Sequence, residues 1–278
     1  MARIAFQGVA GAYSEQAIHA YDPKAEAVPL PSFESVFDAV IRGRADLATV
    51  PIENSLHGSV HPNYDLLGEY ELTILGELKL RITHHLLALP GVALNDLQRV
   101  RSHPQALGQC RKYLKQHLPH VETVADYDTA GAARYIAEHE LKTEAAIASA
   151  AAASVYGLES LDAGIETHAD NFTRFLILGP GGMQPPRTTG AMKTSLVFSG
   201  KENVPGLLFK ALAVFALRDI DLLKIESRPQ PQSPFEYVFY LDIAGGVGEP
   251  NVDRALGHLA EIAGVFRVLG SYPVGDFV

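Results

Sequence analysis

Asn171-Phe172-Thr173-Arg174-Phe175 sets an amide, a hydroxyl and a guanidinium side by side, just before the apolar run Leu176-Ile177-Leu178. The run reads as a buried strand, and polar groups at the mouth of such a strand are where α/β proteins place ligand sites. Threonine donates a hydrogen bond without carrying charge, and arginine forks onto a carboxylate. A surface turn with an ordinary arginine has the same composition.

Other segments share one topological place, the C-terminal end of a strand just before a helix. Gly8–Ser14, Asn54–Ser59, Ser102-His103-Pro104 and Asp128-Thr129 qualify, and Ser149 follows the strand pattern at Ala145–Ile147. Each joins a small or capping residue to a helix start, offering unpaired N–H groups and the positive end of a helix dipole. Such places bind anions without a basic residue. Each alone is also what an ordinary helix cap looks like; together they suit a small polycarboxylate.

Several other chemistries are disfavoured. Gly8-x-x-Gly11 lacks the third glycine of a dinucleotide fingerprint and the Gly-Lys pair of a P-loop. His57 and His61 are four apart, but no HExxH motif or cysteine pair accompanies them, so no metal site is assigned. His84-His85 lies in an apolar stretch and reads as structural. No Gly-x-Ser-x-Gly elbow is present, and Cys110 falls on the apolar face of a helix.

The elements that must position these groups fall in two parts. Up to residue 180, short apolar strands (Arg3–Phe6, Ala45–Val50, Val121–Ala125, Ala145–Ile147) alternate with helical stretches, among them 103–118. That is the pattern of a mostly parallel α/β sheet wrapped by helices. Residues 179–193 are rich in Gly and Pro and read as a linker. After it come strand Ser195–Phe198, helix Leu207–Leu217 opened by Asn203 and Pro205, strands Leu222–Ser227 and Tyr237–Ile243, helix Val252–Ala263 and strand Phe266–Ser271. This is the ferredoxin-like βαββαβ order.

Composition narrows the class further. A chain of 278 residues can hold two domains, and its formal charge of −9 argues against nucleic acid as a partner. No apolar run approaches a membrane span, and the N-terminus enters a strand pattern with no signal-peptide core. With one cysteine, no intramolecular disulfide forms. A cytoplasmic enzyme is the expectation.

Together the motifs resemble those of the prephenate dehydratase family, over essentially the whole chain and in the family's order. They are Gly8–Gln16, Val50–Val60, Ser102–Cys110, Asp128–Ala130 and Asn171–Phe175. After the linker, Val204–Leu208 and Glu226–Pro229 resemble the phenylalanine-binding motifs of the family's regulatory ACT domain. Val9 and Ala12 replace the proline and threonine of many bacterial members, and with Asn63–Leu67 they look closer to the plant-type branch that includes arogenate dehydratases. Leu207 stands where alanine is usual.

The resemblance implies a catalytic domain over 1–180, two-lobed like type 2 periplasmic binding proteins. One lobe would hold about 1–78 with 160–180, the other about 79–159. A linker at 181–193 and an ACT domain at 194–278 would follow. It implies decarboxylating dehydration of prephenate to phenylpyruvate, without metal or cofactor, in a homodimer or homotetramer joined through ACT domains. Thr173 would face the leaving hydroxyl, and Glu53 or His103 would supply the proton. Arg174 would clamp a carboxylate, with Asn54, Ser55, Ser102, Thr129 and Phe175 around the substrate. L-Phenylalanine would bind at Pro205, Gly206, Leu207 and Leu208 with Glu226, Ser227, Arg228 and Pro229. Were 173–175 a regular strand, Thr173 and Arg174 would point to opposite faces. Arogenate as substrate, and a non-catalytic two-lobed sensor, stay open as alternatives.

Overall fold

Short apolar runs build three sheets in the computed structural model, which describes residues 1–185, 189–201, 205–230 and 235–278. β1 (Arg3–Gln7) is followed by α1 (Tyr13–Tyr21), β2 (Glu26–Leu30), α2 (Phe33–Ile41) and β3 (Leu47–Asn54). β1 pairs in parallel with β2 and β3. Ser32 starts α2 by accepting the Ser35 N–H, and Val36, Phe37, Ala39 and Val40, spaced to share one face, are buried. A two-residue strand, β4 (Gly58–Ser59), folds back on β3; α3 (His61–Glu69) and β5 (Leu72–Arg81) complete this half.

The second sheet begins at β6 (His85–Ala88) and continues through β7 (Arg99–Ser102), α4 (Pro104–Gln109), α5 (Arg111–His117), β8 (Glu122–Ala125) and α6 (Thr129–Glu138). It ends with β9 (Glu144–Ala148), α7 (Ala150–Tyr156) and β10 (Glu159–Ala163), in the order β10-β6-β9-β7-β8. Every residue of β9 is buried. Ala146 and Ala148 share a core with Ala130, Ala132, Ala133 and Ala152 of α6 and α7, small side chains that let helix and sheet approach closely. The helix expected over 103–118 is broken at Cys110, which ends α4 and opens α5.

β11 (Phe172–Pro180) returns to the first sheet and inserts between β3 and β5, antiparallel to both. The chain thus crosses between lobes twice, and the crossings touch where the Ile82 N–H donates to the Asn171 carbonyl at 2.8 Å. Residues 79–81 belong to the first sheet, and 160–163, in β10, to the second.

The remaining elements are β12 (Met192–Gly200), α8 (Leu207–Ala216), β13 (Leu222–Pro229), β14 (Tyr237–Ala244), α9 (Pro250–Ile262) and β15 (Ala263–Pro273). Their antiparallel sheet has the order β13-β14-β12-β15, the ferredoxin-like arrangement. Within the expected linker, 186–188 lie outside the described residues, as do Asn203 and Val204 of the expected helix start. α8 and α9 cover one face through Leu196, Phe198, Leu241 and Ile243. The other face packs on the first lobe, where Val197, Tyr240 and Tyr272 share a core with Tyr64, Ile74 and Leu176. Arg267 donates to the carbonyls of Leu67, Gly68 and Tyr70 at the end of α3, groups a helix leaves without intrahelical partners.

Candidate active site

Alternation along β11 decides what faces the space between the lobes. Thr173 and Phe175, two residues apart, line a cleft of about 560 Å³. The Thr173 Oγ1 accepts a hydrogen bond from Asn54 Nδ2 at 3.0 Å, reaching across the paired strands. Asn54 is oriented by its own turn: its Oδ1 accepts the N–H groups of Leu56 (3.0 Å) and His57 (3.1 Å), so Nδ2 is the donor end. Nδ2 also reaches Asn171 Oδ1 at 2.8 Å. Because the Thr173 oxygen already accepts, its hydroxyl proton remains available to a molecule in the cleft.

The second lobe adds His103 and Thr129. His103 caps α4, its Nδ1 accepting the Gln105 N–H at 3.3 Å, which leaves the ring proton on Nε2. Burial depresses its pKa, with Asp128 opposing and His57 assisting. Thr129 opens α6, capped by Asp128 through the Gly131 N–H. Among the described residues lining the cleft none is lysine or arginine. Anion recognition therefore falls to neutral donors and helix starts, including α1, which no side chain caps.

A chain of hydrogen bonds joins the lobes across this space. The Tyr13 hydroxyl lies 2.9 Å from His84 Nδ1; His84 Nε2 donates to Gln109 Oε1 at 2.5 Å, and Gln109 Nε2 donates to His57 Nδ1 at 3.1 Å. Burial lowers the pKa of His84 despite the raising effects of Gln109 and Glu166. Tyr13, His57, His84 and Gln109 were not among the expected site residues. His84 read as structural because its apolar neighbours do place it in the interior, and no spacing rule links it to Gln109.

The glycine loop is held from across the cleft. Ser149 Oγ donates to the Gly11 carbonyl at 2.6 Å and the Tyr156 hydroxyl to that of Ala10 at 2.7 Å. Gly11 has φ +83°, and a Cβ there would sit 2.7 Å from the Ala152 Cα, so both backbone conformation and close approach require glycine.

Four expected site residues lie elsewhere. Arg174 points away from the cleft: it donates to Glu77 and Asp242, each at 2.6 Å, and to the Tyr272 hydroxyl at 3.1 Å. The strand begins at Phe172 rather than Leu176, so consecutive residues 173 and 174 take opposite faces. Glu53, beside Asn54 on β3, is turned the same way and pairs with Lys224 at 2.7 Å. Ser55 donates to the Asp170 carbonyl and accepts the Phe172 N–H, tying down the crossing. Ser102 is fully buried and donates to the Ile147 carbonyl at 2.6 Å. Asn54, His103, Thr129, Thr173 and Phe175 come together at the cleft.

The regulatory residues are divided in the same way. Pro205, Gly206, Leu207 and Leu208 line a pocket of about 320 Å³ with Gln230 and Tyr237. Glu226 and Arg228 face the first lobe instead: Glu226 accepts from Ser59 and lies 3.3 Å from His61 Nε2, and Arg228 is bidentate to Asp65 at 2.9 and 2.8 Å. Ser227 and Pro229, alternating with them, are exposed. Within one chain the two expected halves of the effector site do not meet.

Two α/β lobes closing on a cleft of neutral donors, with a ferredoxin-like domain docked on one lobe, describe a two-domain enzyme architecture. The chain belongs to the prephenate dehydratase family, whose model matches residues 4–182, the two lobes without the ferredoxin-like domain. Arogenate dehydratase 2 of Petunia hybrida is 50% identical over 98% of this chain and 71% of its own length. A prephenate dehydratase from Arthrobacter aurescens, solved in complex with L-Phe, superposes with a TM-score of 0.90 at 36% identity, covering 98% of this chain and 89% of that one. Equally similar in structure is GqqA, described as a novel type of quorum-quenching acylase, with a TM-score of 0.90, 36% identity and 98% of each chain covered. No helix among the described residues is long and apolar enough to cross a membrane.

Proposed function

We propose that the cleft carries out the decarboxylating dehydration of prephenate to phenylpyruvate. The observation that carries this reading is the Thr173 hydroxyl, held as acceptor by Asn54 and therefore free to donate. Carbon dioxide leaves one ring carbon, the electron pair of the broken bond completes the aromatic ring, and hydroxide leaves the opposite carbon. One proton converts that hydroxide to water. Aromatisation supplies the driving force, so the protein's task is to ease the departure of a poor leaving group. A donor that strengthens its hydrogen bond as charge grows on the departing oxygen stabilises the transition state more than the substrate. Thr173 is too weak an acid to transfer its own proton at neutral pH. With Glu53 held by Lys224, His103 is the expected proton source that remains at the cleft.

The absence of a cleft arginine or lysine among the described residues suits the decarboxylation. A carboxylate gripped by a full positive charge is stabilised most before its charge disperses, which slows the loss of carbon dioxide. Neutral donors and helix starts bind it less tightly at that moment. Acyl transfer has no comparable support. Ser14 and Ser59 line the cleft without a hydrogen bond to a histidine, and Cys110 is buried, with its thiol pKa pushed up by desolvation.

Arogenate, which carries an ammonium where prephenate has a keto group, is the second reading. The 50% identity to the Petunia enzyme favours it. Incubating the purified protein with each compound and assaying phenylpyruvate and phenylalanine decides between them, and turnover of neither would overturn both.

L-Phenylalanine is the effector assigned to the pocket at Pro205–Leu208, supported by the resemblance of this domain to ACT domains and by the bound L-Phe of the Arthrobacter relative. Glu226 and Arg228, turned to the first lobe, fall outside that pocket. Self-association through the edge strand β13 is proposed because Leu223 and Ile225 stand 44% and 46% exposed there. A homodimer or homotetramer in the cytoplasm completes the reading.

A further inference from the structure

The hairpin that carries Asn54 depends on contacts from another domain. β4 contributes only two residues to its ladder, Glu53 opposite Ser59 and Asn54 opposite Gly58, and among the described residues it has no second neighbouring strand. So short a pairing is marginal by itself. Two side chains of β13, Lys224 and Glu226, reach down onto it. Lys224 Nζ lies 2.7 Å from Glu53 Oε1 and 3.0 Å from Ser59 Oγ; Glu226 accepts the Ser59 hydroxyl and sits 3.3 Å from His61 Nε2. Ser59 and His61 are themselves part of the cleft wall.

We propose that Lys224 and Glu226 are positioning residues for the reaction, fixing the β3–β4 hairpin so that the Asn54 amide meets the Thr173 hydroxyl. The proposal rests on the dehydratase reading of the cleft and adds residues from the ferredoxin-like domain to its machinery. β3 explains how the tie is transmitted. Glu53 and Asn54 are consecutive, so one faces Lys224 and the other the cleft, and a shift of the first moves the second. The paired charges matter as a set. Lys224 lies between the carboxylates of Glu53 and Glu226, at 2.7 and 3.9 Å, so removing it leaves two acidic groups facing one another across a partly buried gap.

Mere domain docking is a rival explanation, and the interface supplies its own control. Arg228 grips Asp65 of α3 with a bidentate pair, but Asp65 does not line the cleft. Asp65→Asn weakens the same interface without touching the hairpin.

The test compares the full-length wild type with Lys224→Gln, Glu226→Gln, Asp65→Asn and the conservative Lys224→Arg. The expected result is a fall in kcat of fivefold or more for the first two, with KM within threefold. Asp65→Asn should stay within twofold of wild type, and Lys224→Arg should recover most of the loss. Hydrogen–deuterium exchange of residues 52–60, read by mass spectrometry without substrate, should speed up in Lys224→Gln and Glu226→Gln but not in Asp65→Asn. Unchanged exchange of the hairpin in the first two variants, or an equal effect of Asp65→Asn on both readouts, overturns the proposal. A wild type that turns over neither prephenate nor arogenate overturns the dehydratase reading instead, while the exchange measurement still decides whether the hairpin is held as proposed.

Discussion

The Thr173 oxygen receives one hydrogen bond from Asn54 and keeps its proton for the cleft. Thr173→Val keeps the branched shape and removes the hydroxyl, both the donor to the cleft and the acceptor of the Asn54 bond. It should lower kcat at least tenfold, about 1.4 kcal/mol of barrier, with an unchanged circular dichroism spectrum. Asn54→Asp should be as damaging, because a carboxylate only accepts: the Thr173 hydroxyl would turn toward it and abandon the substrate. Steady-state kinetics on both variants check the pair, and normal turnover in either would remove that hydrogen bond from the mechanism. His84 makes a different prediction. It is almost fully buried and its folded pKa lies below the ordinary value of 6.5. The unfolded chain then binds the extra proton more readily, so this residue disfavours the fold as pH falls through 6.5 toward the folded pKa and has no such effect above it. Thermal melts from pH 7.5 downward should show a loss of Tm below about pH 6.5 that His84→Gln reduces.

At the scale of the strand, β11 serves two sites at once. Its outward partner to Thr173 is Arg174, buried with Glu77, Asp242 and Lys193 in the seam between the domains. Burial alone would raise the carboxyl pKa of Glu77, but the charges of Arg174 and Lys193 outweigh it and the net direction is down. A buried set of this kind is strongly destabilised when one member is cut away, since the remaining charges lose their partners. Arg174→Ala should cost about 3–5 kcal/mol of unfolding free energy, measured by denaturant titration. The guanidinium should be dispensable for substrate affinity: once folded, the variant should keep its KM. A rise in KM alone, with stability intact, would restore Arg174 to the cleft.

For the molecule as a whole, the exposed apolar edge of β13 predicts association. Ile225→Lys should shift the protein toward monomer in light scattering, because a lysine on that face is hard to bury against a second copy. The ferredoxin-like order was legible in the sequence, since its strands and helices switch hydrophobic period at each turn. The first domain was legible in β1 and β9, but less so at β5 and β6, where long apolar stretches carry no period to mark a crossing between lobes. Of the site, Asn54, His103, Thr129, Thr173 and Phe175 were legible as a group. Arg174 and Glu53 lie off the cleft for one reason: neither a polar cluster nor a family resemblance tells which of two neighbours on a strand faces which way, and only the strand boundary does. That boundary leaves a particular vulnerability. A one-residue slip of β11 against β3 and β5 would preserve every residue's chemistry yet exchange inside for outside: guanidinium into the reaction chamber, hydroxyl among the stranded carboxylates. The protein would lose its catalyst and its keystone in one frame-sized slip.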